Sequence, residues 1–165
     1  MNLQLVDELD PILRLVAPRY DFNSNEFDLI TLVNSMTDVM LDNNGIGLAA
    51  PQVGISTRIL IMGRKDDIVV CINPELISGV GEICDIEGCL SFPQLYLKIK
   101  RWETIQVSYQ IPSGEIIRNQ FDGLYSRAFQ HELDHLNGIC FVSHVGPVGL
   151  ELAQRRRRKL IKSLN

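Results

Sequence analysis

The chain has 165 residues, with 16 basic against 20 acidic side chains and a formal net charge of -4. That is enough chain for one domain with its own core, and too acidic a surface to bind DNA over its whole face. The start, MNLQLVDELD, carries acidic residues where a secretory leader would carry a basic segment and an apolar run, and no apolar stretch reaches the ~18 residues of a membrane span. The expectation is a single catalytic domain over residues 1–165, cytoplasmic and without a membrane partner. In a reducing compartment its four cysteines serve as core residues or metal ligands rather than as disulfides.

Leu29, Val33, Met36 and Met40 recur at helical spacing and predict an amphipathic helix from about Asn25 to Asp42, capped by Asn23 or Ser24 and stopped by NNG. After GIGLAAPQVG the pattern changes to β-rich runs: TRILIM, DIVVCIN, LYLKIK and TIQVSYQI, the last followed by the turn PSGE and by IIRNQF. These read as hairpins rather than βαβ units. Asp122 is placed to cap a second helix over LYSRAFQHELDHLN, whose apolar face is Leu124, Ala128, Leu136 and Ile139 and which Gly138 ends. A third, basic helix from about Gly149 to Ser163, within residues 148–163, contains QRRRRK. The fold class is α+β: short antiparallel sheets around a central helix carrying HExxH, with an N-terminal and a C-terminal helix.

QHELDH at 130–135 carries the chemistry. Residues i and i+4 share a helix face, so the imidazoles of His131 and His135 converge on one ion, with Glu132 on the flank as a general base. Two histidines need a third ligand, and the residues alone leave several open. The metzincin spacing fails, because the position ten after His131 is Phe141. His144 or Glu151 would make a peptidase-like site. Cys71 in VVCIN and Cys140 in ICFV read as small core hydrophobes. Cys89, in EGCLSFP, sits at a bend where Gly88 permits close backbone approach, and Cys84 is the other cysteine candidate. If Cys84 joined Cys89 and both histidines, the site would be a closed structural zinc knot with no open position.

GIGLAAPQVG at 45–54, EGCLS at 87–91 and QHELDH at 130–135 resemble, in order and separation, the three motifs of the peptide deformylases, and the resemblance runs from DPILRLVA to LNGICF. It implies Cys89 as the third ligand beside His131 and His135. It also implies Glu132 as the proton carrier, with the Gln52 amide and the Leu90 backbone N–H as donors to the developing oxyanion. Gly45, Ile46, Gly47, Ile86, Glu87, Gly88, Arg101, Leu124 and Ala128 match substrate-binding positions, and Asp134 is an ion-pair partner that orients the helix. The implied substrates are N-formyl-methionyl nascent peptides, with formate as product. The implied cofactor is one divalent ion, Fe2+ in cells, with Zn2+, Ni2+ or Co2+ able to take its place. RRRRK at 155–159 is then a possible contact to ribosomal RNA. The chain departs from the family pattern at Phe92, where a smaller aliphatic residue is usual, and in QLYLKIKRW, where glycine-containing loops are common.

Overall fold

The structure, a computed structural model, describes residues 1–24 and 27–164. Helix α1 spans Leu29–Asp42, and the Asp28 carboxylate accepts the Thr31 N–H at 3.0 Å. Asp28 therefore takes the capping place expected of Asn23 or Ser24, since its side chain sits three residues before an otherwise unpaired helix donor. The expected start at Asn25 lies outside the described residues. Leu32, Val33, Met36 and Met40 form the buried stripe of α1, and burying each such side chain contributes about 1.5–3 kcal/mol.

Strands β1 (Gly47–Ala49), β2 (Ile59–Arg64), β3 (Asp67–Cys89), β4 (Phe92–Gln110) and β5 (Ile116–Asp122) make one antiparallel sheet in chain order. The α+β class holds, but the strands join into a single sheet whose middle is a long two-stranded ribbon. LYLKIK and TIQVSYQI belong to one strand of 19 residues, and β3 continues for 23 residues through a stretch whose Pro74, Gly79 and Gly81 conceal it from periodicity. Register shifts between Ile72 and Glu75 and between Leu76 and Ser78 let the ladder pass the proline, the usual function of a bulge. Along β4 the buried positions alternate: Leu95, Leu97, Ile99, Arg101, Ile105, Val107, Tyr109. Arg101 is the one charged member of that series.

Helix α2 (Gly123–Leu136) packs on this sheet, with Ala128, Phe129, Leu133 and Leu136 against Ile105, Val107 and Phe121. Asp122 is its N-cap residue, yet its carboxylate makes no capping bond. It accepts instead from Thr104 Oγ1 at 2.6 Å, its cross-strand neighbour. Ser126 and Gln130 tie the helix to β4: Gln130 accepts the Trp102 N–H at 3.0 Å and donates to the Trp102 carbonyl at 2.9 Å, while Ser126 Oγ donates to the same carbonyl. The chain leaves α2 at Gly138, whose φ of +71° and a backbone only 2.8 Å from where a Cβ would point both require glycine. Helix α3 runs Pro147–Leu164, slightly earlier than expected, and Ala153 packs with Leu13, Phe92, Leu97 and Phe141.

Candidate metal centre and substrate cleft

Cys89 is the last residue of β3, aimed by the tight Leu90–Ser91 turn that leads into β4. His131 and His135 lie one turn apart on the buried face of α2. The Cys89 thiol and one nitrogen of each ring lie within 4.8 Å of one another, with Cys89 Sγ 3.2 Å from His135 Nε2. No further histidine, cysteine or carboxylate joins them among the described residues. Cys84 is exposed, opposite Lys100 in the ribbon. His144 Nε2 donates to Asp134 at 2.7 Å, and Glu151 accepts from Arg155 at 2.6 Å on the surface. The rival third ligands are therefore committed elsewhere.

Behind the histidines is a buried ion-pair network. The His131 Nδ1–H donates to Glu87 Oε2 at 3.0 Å. Arg101 grips the same carboxylate with two bonds, at 2.9 and 3.1 Å, and reaches Asp134 at 2.6 Å. Arg127 adds a bond to Glu87 at 2.7 Å and donates to the Ile99 and Ile83 carbonyls. Burial raises the Glu87 carboxyl, but His131 and Arg101 outweigh it and hold the group well below the usual carboxylate range. Burial likewise lowers His131, yet its bonds to Cys89 and Glu87 win and push it up to about 10. Burial and the charges of His131 and Arg101 hold His135 well below its usual value. A thiolate and two imidazoles, that of His131 oriented by Glu87, suit a divalent metal, and a set of three protein donors is that of a catalytic rather than a structural site.

A cleft of about 440 Å³ opens over these groups. Its walls include Gly45, Ile46, Gly47, Ile86, Glu87, Gly88, Leu90, Leu124 and Ala128, together with Cys89, His131 and Glu132. Ile86 is 67% and Leu124 50% exposed, so neither serves as core; of the expected apolar face of α2, Ala128 and Leu136 are buried, while Phe129 and Leu133 take the places of Leu124 and Ile139. Arg101 does not line the cleft. Buried at 6% exposure, it supports His131 from behind through Glu87. Glu132 is buried and its Oε2 has no protein partner, and burial pushes it up to about 7. Gly47 makes room for it: a Cβ there would stand 2.6 Å from Glu132 Oε1. Gln52 lies just beneath. Its carbonyl accepts the Ala49 N–H at 2.8 Å, which turns its amide toward Ser91 Oγ at 3.3 Å and Cys89 Sγ at 3.5 Å.

The sequence motifs do not single out Arg127, Ser126, Gln130 or Ser91. For the first three the available signal is positional, polar residues on inward-facing turns of α2, whereas Ser91, in the turn between β3 and β4, carries none. Phe92 packs edge-on against Phe141 at 5.4 Å, and Phe141 against the His131 ring at 5.6 Å. The larger side chain at this departure from the family pattern thus braces the helix.

Residues 3–150 match the family described as Polypeptide deformylase. The peptide deformylase of Thermotoga maritima is 37% identical over 158 residues, 94% of each chain. Among solved structures, a peptide deformylase from Legionella pneumophila superposes with a TM-score of 0.89 at 34% identity, covering 99% of this chain and 98% of its own. A Met-Ala-Ser-bound class I type b peptide deformylase from Acinetobacter baumannii gives 0.81 at 35% identity, covering 88% and 99%. With the family matched over residues 3–150 and relatives similar in sequence and in fold over nearly the whole chain, this protein belongs to the peptide deformylase family.

Proposed function

We propose that Cys89, His131 and His135 hold one divalent metal ion, at which the protein hydrolyses the N-terminal formyl group of formyl-methionyl peptides. Members of this family are metal-dependent hydrolases that remove the formyl group from newly made polypeptides, and this chain has that activity. The observation that carries the residue-level reading is a buried carboxylate, Glu132, with one unpartnered oxygen beside three convergent metal donors at a cleft.

When bound, the ion supplies Lewis acidity, which polarises the formyl carbonyl and makes water a competent nucleophile near neutral pH. Glu132 takes a proton from the attacking water and delivers it to the nitrogen as the C–N bond breaks, leaving formate and a free amine. Its position near 7 suits a group that must accept and release a proton at neutral pH. As the formyl oxygen gains charge it accepts from the Gln52 amide and the Leu90 backbone N–H, and losing one such donor costs about 10² to 10³ in rate. The bond from the Ala49 N–H pre-orients Gln52 for this. Ile46, Ile86, Leu124 and Ala128 receive the methionine side chain, while Gly45, Gly47 and Gly88 let the peptide backbone lie close. Glu87 and Arg101 act from behind, orienting His131. The tripeptide in the Acinetobacter baumannii relative supports a cleft of this reach.

The ion in cells is Fe2+, with Zn2+, Ni2+ and Co2+ compatible with the same soft, mixed donor set. The chain acts in the cytoplasm as one domain over residues 1–165. No helix among the described residues is long and apolar enough to cross a membrane. Its basic helix contacts ribosomal RNA through exposed Arg155, Arg158 and Lys159; Arg155 pairs with Glu151 at 2.6 Å on the open surface, where the pair is easily exchanged, whereas Arg157 is held half-buried against Glu8 at 2.8 Å. The test is formate release from formyl-Met-Ala-Ser by protein prepared without oxygen and loaded with Fe2+. Turnover lost together with metal in Cys89→Ala supports the ligand set. No formate from the loaded wild type overturns the reading.

A further inference from the structure

The cleft over the metal donors runs into a second groove. Ile86, Gln94 and Tyr96 line both the cleft and a second groove of about 460 Å³ between β4 and α3. Beyond them stand Lys98 of β4 and Arg156 and Leu160 of α3, and no carboxylate lines the groove. Neither Lys98 nor Arg156 has an ion-pair partner among the described residues, whereas Arg157, on the same wall, is taken by Glu8. Tyr96 is 56% and Leu160 39% exposed, an apolar surface that nothing in the chain covers among the described residues.

We propose that this groove binds the formylated peptide beyond its third residue, and that Lys98 and Arg156 make it favour acidic over basic side chains there. The proposal rests on the deformylase reading and names the substrates it distinguishes. A nascent chain is continuous, so its downstream residues must leave the cleft. In extended form each residue advances roughly 3.3–3.6 Å, and a chain passing over Tyr96 enters the second groove directly because the two share that wall. Ile86, Tyr96 and Leu160 accept apolar side chains of any sequence. The two unpaired cations supply the sign. Exposed charge pairs of this kind change affinity by up to about fivefold, and salt screens them.

The experiment uses metal-loaded full-length protein and three peptides: formyl-Met-Ala-Ser, and two longer peptides continuing it with aspartates or with lysines. At low ionic strength, kcat/KM for the aspartate peptide should exceed that for the lysine peptide by roughly two- to fivefold, with the ratio falling toward one in about 0.5 M salt. Arg156→Glu and Lys98→Glu lie on different elements; each alone leaves one cation against one anion and should bring the ratio close to one, and the two together should reverse the order. Equal kcat/KM for the two long peptides, or a ratio that survives both substitutions, overturns the groove alone, provided the tripeptide is turned over. No formate from any peptide overturns the underlying function as well.

Discussion

Helices α2 and α3 carry the chain's two most charged motifs and use them in opposite ways. Of the 14 residues of α2 ten are buried, and the charges of HELDH are either held in the Glu87–Arg101–Asp134 network or turned toward the cleft. Of the 18 residues of α3, Ala153 is buried while most of RRRRK faces solvent. In a buried, low-dielectric setting a charge interacts several times more strongly than in water. Desolvation makes the α2 charges orient one another and, in the proposed reaction, carry a proton, whereas water leaves most of those of α3 available for association and steering. The cost is also divided: α2 pairs its buried charges except at Glu132, whose Oε2 has no protein partner, whereas α3 leaves most of its charges to water.

The contrast breaks most directly at Glu132. Glu132→Gln should retain metal while kcat falls by about 10² to 10⁴, measured as formate release alongside metal content. Turnover within tenfold of wild type would remove Glu132 as the proton carrier. The same substitution should stabilise the metal-free protein. Burial raises Glu132 from 4.5 to about 7, so the folded state holds a proton that the unfolded state has released. Wild-type stability is therefore lost as pH rises from 4.5 through 7 and is flat above. Metal-free Glu132→Gln should gain up to about 3 kcal/mol over wild type at pH 8 and nothing below pH 4.5, by denaturant titration. A gain independent of pH would mean the carboxylate is not destabilised by burial.

Glu87→Gln should weaken metal binding by about 10- to 100-fold, because His131 loses its orienting acceptor and Arg101 and Arg127 lose their shared carboxylate. Competition with a chelator measures it, and an unchanged affinity would make the network purely structural. The smallest effects belong to α3. Replacing Arg155, Arg158 and Lys159 by alanine should reduce the log–log salt slope of ribosome binding by about one per lost phosphate contact. Arg157→Ala should instead lower the melting temperature, since it uncovers Glu8. If all four positions act alike on the slope, α3 is a uniform charged face and not a divided one.

The histidine pair was legible because i and i+4 geometry is local, and the buried faces of α1 and β4 because periodicity is local too. The long ribbon was not. Pro74, Gly79 and Gly81 read as turn signals, and only pairing with β4, with its bulges, keeps β3 extended through them. The family resemblance places Arg101 at the cleft. Its place in the inward alternation of β4, between Ile99 and Ile105, indicates the interior instead.

By itself the sequence determined what short-range geometry can determine: one face of a helix presenting two imidazoles and a carboxylate, a thiol at a strand end, and a run of arginines on a third helix. The tertiary structure decided which of several donors meets the histidines and which charges support them. Those outcomes depend on the register of β3 against β4 and on the docking of α2 through Gln130 and Ser126 onto Trp102. A one-residue slip would turn Arg101 outward and leave Glu87 buried without its partner. Long-range packing, which no local pattern encodes, therefore separates the cysteine that meets the two histidines from an ordinary one, and an arginine that supports His131 from a solvated one.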